Sequence, residues 1–207
     1  MQKDVWVYQK YSYTVYMLRY IALTIGSVGL FVSTLFYVGI HYPSTVTLSP
    51  DEQTLIQSIY GDSVDTEKIH IAYDTIYTAG STVTLGNTIH VQDKSLYVRG
   101  FTENTLTEDT LIHEAGHIYQ YQHFGLSYVP KSLLAQLLAW IDTGSRGGAY
   151  NWQARVAEGK KWHELNPEEQ AQLITDYFEM QNGAQVTGIS MHTLECFSPI
   201  LSRHCIQ

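Results

Sequence analysis

Between Arg19 and Asp51 the chain contains no Asp, Glu, Lys or Arg. This uncharged run constrains the architecture more than any other feature, because a long apolar segment has few environments that will accept it. Its core, YIALTIGSVGLFVSTLFYVGIHY over residues 20–42, is 23 residues long. As a helix it would extend roughly 35 Å, enough to cross a hydrocarbon layer of about 30 Å. Gly26, Gly29 and Gly39 would weaken a helix in water but are common in membrane helices, and Tyr16, Tyr20, Tyr37 and Tyr42 lie near the ends, where interfacial aromatics collect. Pro43 stops the helix. A cleaved signal peptide fits less well, since its apolar region is shorter and the following HYPSTV offers no small-x-small site. A hairpin buried in the core is the remaining alternative. Lys3, Lys10 and Arg19 precede the run and no Lys or Arg follows until Lys68, which places the N-terminus in the cytoplasm by the cation bias. The expectation is a single-pass inner-membrane protein: cytoplasmic residues 1–19, a transmembrane helix over 20–42, a linker over 43–50, and a periplasmic or extracellular domain over 51–207.

The 207 residues suffice for one packed domain plus such an appendage. Charged residues make up 15%, against roughly 25% in an average soluble chain. The net charge is −8 with only 12 Lys and Arg, which argues against a phosphate-reading surface, so no nucleic-acid partner is expected. Cys196 and Cys205 are too few for a four-cysteine metal site. In an oxidising compartment they would close a small loop as a disulfide; two buried free thiols are the alternative.

Within 51–207, DEQTLIQSIYG reads as a short helix ending at Gly61. KIHIAYD alternates Ile69, Ile71 and Tyr73 on one side, and STVTLGNTIHV is rich in β-branched residues with Gly86-Asn87 as a bend or bulge; with SLYVRG these make a small sheet. ENTLTEDTLIHEAGHIYQYQHFG reads as a helix capped by Thr107, with Leu111, Ala115, Ile118 and Tyr119 as its apolar stripe and Gly125 as its stop. The strongly apolar PKSLLAQLLAWIDTG is a further helix. YNWQARVAEG is a short one, and NPEEQAQLITDYFEMQNG a clear one with Asn166 as cap and Pro167 in the first turn. The tail from residue 184 reads as irregular.

His113-Glu114-Ala115-Gly116-His117 is H-E-x-x-H inside the capped helix. Residues i and i+4 project from one face, so both imidazoles can reach one ion. Glu114 lies beside that face, where it can take a proton from a zinc-activated water. A small sheet ahead of such a helix is the arrangement of zincin metallopeptidases. The third ligand has several candidates. His123 has the spacing of the third metzincin histidine, but Gln120 stands where that pattern needs Gly, although ISMHT around Met191 is similar to a Met-turn. Gluzincins use E-x-x-x-D on a later helix, and the matching spacing falls on Gln172-x-x-x-Asp176. Asp176 is the preferred ligand, or a second-layer support for a histidine, with Gln172 a departure at the ligand position. Glu169 reads as the third residue of a capping box, Glu168 as a solvated first-turn charge, and Glu158 as a surface residue. Tyr150, Tyr177, His163 and His192 are candidate donors to a developing oxyanion. His70 and His90 are expected to face solvent or the sheet edge.

VTLGNTIHV, TLIHEAGHIYQYQHFG and WHELNPEEQAQLITDYF, in that order, resemble the bacterial Vgr-related or Rhs-element-associated proteins with an H-E-x-x-H core, over about residues 82–180. The resemblance implies a gluzincin-like peptidase fold and a setting beside contractile secretion and toxin systems, but no particular substrate. The combined expectation is an α+β protein: an N-terminal transmembrane helix followed by a mostly helical zincin-like domain with a small sheet. It would be a membrane-anchored zinc metallopeptidase acting on a peptide or protein substrate. His113, His117 and Asp176 would hold Zn2+, Glu114 would be the base, and the strand near Leu85–Val91 would be an edge for substrate to pair with. The alternative is a catalytically inactive zincin-like binding module with a secretion-system or toxin partner.

Overall fold

The computed structural model describes residues 45–73, 82–91, 106–186 and 188–205, which all fall in the unit Pro43–Gln207. The expected linker contains the first strand. β1 (Thr45–Thr47) pairs antiparallel with β2 (His70–Tyr73), Val46 opposite Ile71. Gly86-Asn87 forms the tight turn of a hairpin between β3 (Val83–Leu85) and β4 (Thr88–Val91), with Gly86 at φ 65°. β4 also pairs parallel with β2, giving the order β1-β2-β4-β3. The strand expected at SLYVRG lies outside the described residues. Among the described residues β4 is therefore interior, and of the Leu85–Val91 region β3 is the edge. His90 on β4 is fully buried, contrary to the expected exposure, because every residue of β4 is buried, so both faces of the strand are covered. Burial pushes its imidazole down to about 4.

Six helices complete the described residues. α1 (Pro50–Tyr60) starts in a full capping box, Ser49 accepting from the Glu52 amide and Glu52 from the Ser49 amide. α2 (Glu108–Phe124) carries the H-E-x-x-H sequence, α3 (Tyr128–Thr143) follows after one short turn, and α4 (Trp152–Ala157) follows a 3₁₀ stretch over Arg146–Tyr150. α5 (Pro167–Gln181) is started by Asn166, whose side chain accepts from the amides of Glu168 and Glu169 while Glu169 accepts from the Asn166 amide. The tail is not irregular: it contains α6 (Met191–Phe197), and Cys196 and Cys205 are joined by a disulfide that ties its end to the Ser202–His204 turn.

The core lies between α1, the sheet, α2 and α5, with Ile56, Ile71, Ile89, Leu111, Ile118 and Leu173 among its fully buried members. α2 and α5 approach closely at Gly116. A Cβ there would lie 3.0 Å from the Ala171 Cβ and 3.1 Å from the Tyr60 hydroxyl. Tyr60 in turn donates to the Ile112 carbonyl at 2.8 Å.

The membrane-anchored architecture needs correction. Among the described residues no helix is long and apolar enough to cross a membrane. The most apolar, α3, has 16 residues and spans roughly 24 Å, short of a hydrocarbon core of about 30 Å. The segment 20–42 lies outside the described residues. The fold class of the described residues is accordingly α+β, mostly helical with a small sheet and with no spanning helix among them, and they do not support a single-pass inner-membrane protein.

Candidate metal centre

Positions 113, 116, 117 and 120 recur at the i, i+3, i+4, i+7 spacing that makes one face of a helix. On α2 this stripe is His113, Gly116, His117 and Gln120, and it faces the first turns of α5. The stripe of Leu111, Ile112, Ala115 and Ile118 is buried toward the core. Because Gly116 has no side chain, Ala171 can come against it. Glu168, one helical turn before Ala171, is thereby carried up to both imidazoles. Its Oε2 lies 3.4 Å from His113 Nε2 and 3.4 Å from His117 Nε2.

His113, His117 and Glu168 thus form a group that could hold a metal ion, all donor atoms lying within 4.8 Å of one another. The donor set and spacing fit one. Two ligands on a tetrahedral zinc, each at about 2.0–2.1 Å, stand roughly 3.4 Å apart. A charge-assisted hydrogen bond would be shorter, about 2.7–2.9 Å. Glu168 is 3% exposed, so its charge requires compensation. Burial alone would raise its carboxyl, but the two histidines outweigh burial and hold it well below the ordinary carboxylate range. Burial alone would likewise lower His117. The Glu168 hydrogen bond and charge, with the charge of Glu114 and the contact with Gln120, outweigh it and raise the imidazole to about 9.

Neighbouring groups hold this set from behind. Gln136 on α3 donates to the second Glu168 oxygen at 2.8 Å, and His117 Nδ1 meets Gln120 Oε1 at 2.9 Å. The His117 ring stacks on Tyr128, and the His113 ring lies 5.7 Å from Tyr150. Burial, then the charges of Glu168 and Glu114, push the Tyr150 phenol upward. Glu114 is buried beside the group, and Thr84 on β3 donates to its Oε2 at 2.6 Å. Tyr128 donates to the Thr84 carbonyl at 2.8 Å, so part of the β3 edge is already engaged. A cleft of about 370 Å³ opens onto His113, Glu114 and Tyr150, and Thr82, Asp109 and Glu179 also line it.

The acid brought to the histidines is Glu168 and not Asp176. Asp176 accepts from Trp152 Nε1 at 2.7 Å, Gln153 Nε2 at 3.1 Å and Gln172 Nε2 at 2.7 Å, which fixes α4 against α5. Gln172 lines the cleft but is spent on Asp176. Glu169 stays in its capping box, and Glu158 is an exposed partner of Arg155 at 2.7 Å. α2 runs unbroken to Phe124, so His123 points away, exposed and bonded to the Tyr119 carbonyl. Tyr177 bonds Glu195, and His163 and His192 are exposed, all apart from the cleft. Glu168 had a signal in the sequence: Glu168-x-x-x-Gln172 has the E-x-x-x-D spacing with Gln in second place. Matching on the Asp instead shifted the register by one turn.

No protein-family model matches the chain, and no curated protein matches it. Among solved structures it is similar to the effector domain of Pseudomonas aeruginosa VgrG2b. The alignment has a TM-score of 0.49 and 21% sequence identity, and covers 77% of this chain and 90% of that chain.

Proposed function

We propose that the chain is a zinc-dependent hydrolase acting on peptide bonds. The observation that carries this is the convergence of two histidines of one helix and a carboxylate of another beside an intact Glu114, at the mouth of a cleft. Two His and one Glu are a ligand set of catalytic zinc, which leaves a position open for water or substrate. His113, His117 and Glu168 would hold the zinc, which would supply Lewis acidity and bring the pKa of a bound water to about 7. Glu114 would be the proton acceptor and later the donor, and Thr84 holds one of its oxygens so that the carboxylate keeps a single orientation. Tyr150, which lines the same cleft beside His113, is the candidate donor for a developing oxyanion.

A second reading keeps the metal group without the chemistry: an inactive binding module that works with a secretion or toxin system. The Thr84 bond to Glu114 favours it, since one oxygen of that carboxylate is already engaged by the fold. The effector role printed for the VgrG2b domain would pass to this chain under either reading.

The test is metal content and peptide cleavage of the purified full chain and of Glu114→Gln. The hydrolase reading expects about one zinc per chain and a loss of roughly 10²- to 10⁴-fold in the variant. Stoichiometric zinc with no cleavage supports the binding module; trace zinc, or equal cleavage by both proteins, sinks the hydrolase.

A further inference from the structure

The buried glutamine on the metal-facing stripe of α2 does more than fill space. Gln120 Nε2 lies 2.9 Å from the carbonyl of Pro167 and 3.1 Å from Gln170 Oε1. Gln170 Nε2 donates in turn to the carbonyl of Trp162 at 3.0 Å. Amide groups are ambiguous end for end until a neighbour fixes them, and here backbone carbonyls do so, because a carbonyl only accepts. Trp162 sets the orientation of Gln170. Gln170 and Pro167 together set the orientation of Gln120, so the atom Gln120 turns to His117 Nδ1 at 2.9 Å is its oxygen. That oxygen requires a proton on Nδ1.

We propose that Gln120 is a positioning residue for the metal site: it keeps the His117 proton on Nδ1, leaves Nε2 as the lone-pair donor beside Glu168, and ties that ring to the first turn of α5. Pro167, whose carbonyl it grips, directly precedes Glu168, so one side chain locates two ligands from two helices. An outer hydrogen bond of this kind orients a ligating imidazole and makes it a better donor. Gln120 also occupies the position where Gly would break the helix in the metzincin pattern. A glutamine there keeps α2 continuous and turns the residue into a brace.

The inference rests on the zinc reading and is tested on the full chain with zinc itself. In the zinc-loaded wild type with ¹⁵N-labelled histidine, His117 is expected to coordinate through Nε2 and to show a slowly exchanging Nδ1 proton. Gln120→Met keeps the volume and removes all three bonds, to His117, Pro167 and Gln170. Its zinc affinity, measured by competition with a chromogenic chelator, is expected to fall about 10- to 100-fold, with a changed absorption spectrum of the Co2+-substituted protein. Gln122→Met, on the same helix but bonded to Asp65 and Asn87 on the other side, is expected to bind zinc like the wild type. Coordination of His117 through Nδ1 overturns the inference even if Gln120→Met does not fold, as does a folded Gln120→Met that binds zinc with wild-type affinity. In both cases the zinc reading stands. A wild-type chain that binds no zinc overturns both.

Discussion

α2 and α3 are neighbours in the chain with 17 and 16 residues, and the burial of each runs against its composition. α2 includes Glu108, Asp109, Glu114 and three histidines, yet Glu114, His117 and Gln120 are buried together with its apolar stripe. α3 has Lys131 and Asp142 as its only charges, yet Leu133, Leu134, Leu137, Leu138, Trp140 and Ile141 are 52–66% exposed. The difference is position. α2 has the sheet and α1 on one side and α5 on the other, and each buried polar group on it finds a partner. Among the described residues α3 buries a flank that carries Tyr128, Val129 and Ser132, reaches Glu168 through Gln136, and has Ala139 against the Arg146–Tyr150 stretch. Helix hydrophobicity sets how much surface a helix can bury usefully; its neighbours set how much it does bury.

The contrast can be broken most directly at Ile118. Truncation to Ala removes a fully buried side chain of α2 and is expected to lower unfolding free energy by about 2–5 kcal/mol, read from urea denaturation. A loss under about 1 kcal/mol would mean that α2 is not central. The next effect concerns buried imidazoles. His117 is raised to about 9 by carboxylates, whereas burial lowers His90 to about 4. For His90 the folded value lies below the ordinary 6.5, so as pH falls the unfolded state takes the proton first. Stability present above pH about 6.5 is therefore lost progressively down to about 4, by at most about 3 kcal/mol. Urea denaturation at pH 7 and pH 4.5 should show a smaller pH loss in His90→Gln than in the wild type. Equal losses would show that His90 does not titrate in this way.

Gly116→Val is expected to cost about 1–3 kcal/mol by overpacking against Ala171. It should also weaken any metal binding by the His113, His117 and Glu168 group, because it pushes Glu168 away from the histidines; an unchanged metal affinity would show that the Gly116–Ala171 approach does not set the ligand spacing. The smallest effect belongs to α3. Leu137→Gln, on its exposed face, should change stability by less than about 0.5 kcal/mol. A larger loss would mean that this face is covered in solution.

What could be read from the sequence was local. The helix carrying H-E-x-x-H, the Asn166–Glu169 capping box and the stops at Gly125 and Gly144 depend on contacts within one or two turns. The strand β1 was hidden in a linker-like PSTVTLSP because only its pairing with β2 makes it a strand. α6 was hidden because seven residues give too short a period to detect.

The sequence by itself put His113 and His117 on one helical face with Glu114 beside them, because a 3.6-residue turn leaves no other arrangement. Only the tertiary structure chose the acid that joins them. In the sequence Glu168 is an ordinary first-turn carboxylate near a positive helix end. It becomes a buried partner of two imidazoles because Gly116 lets Ala171 come close, and the N-terminus of α5 then lies against that face.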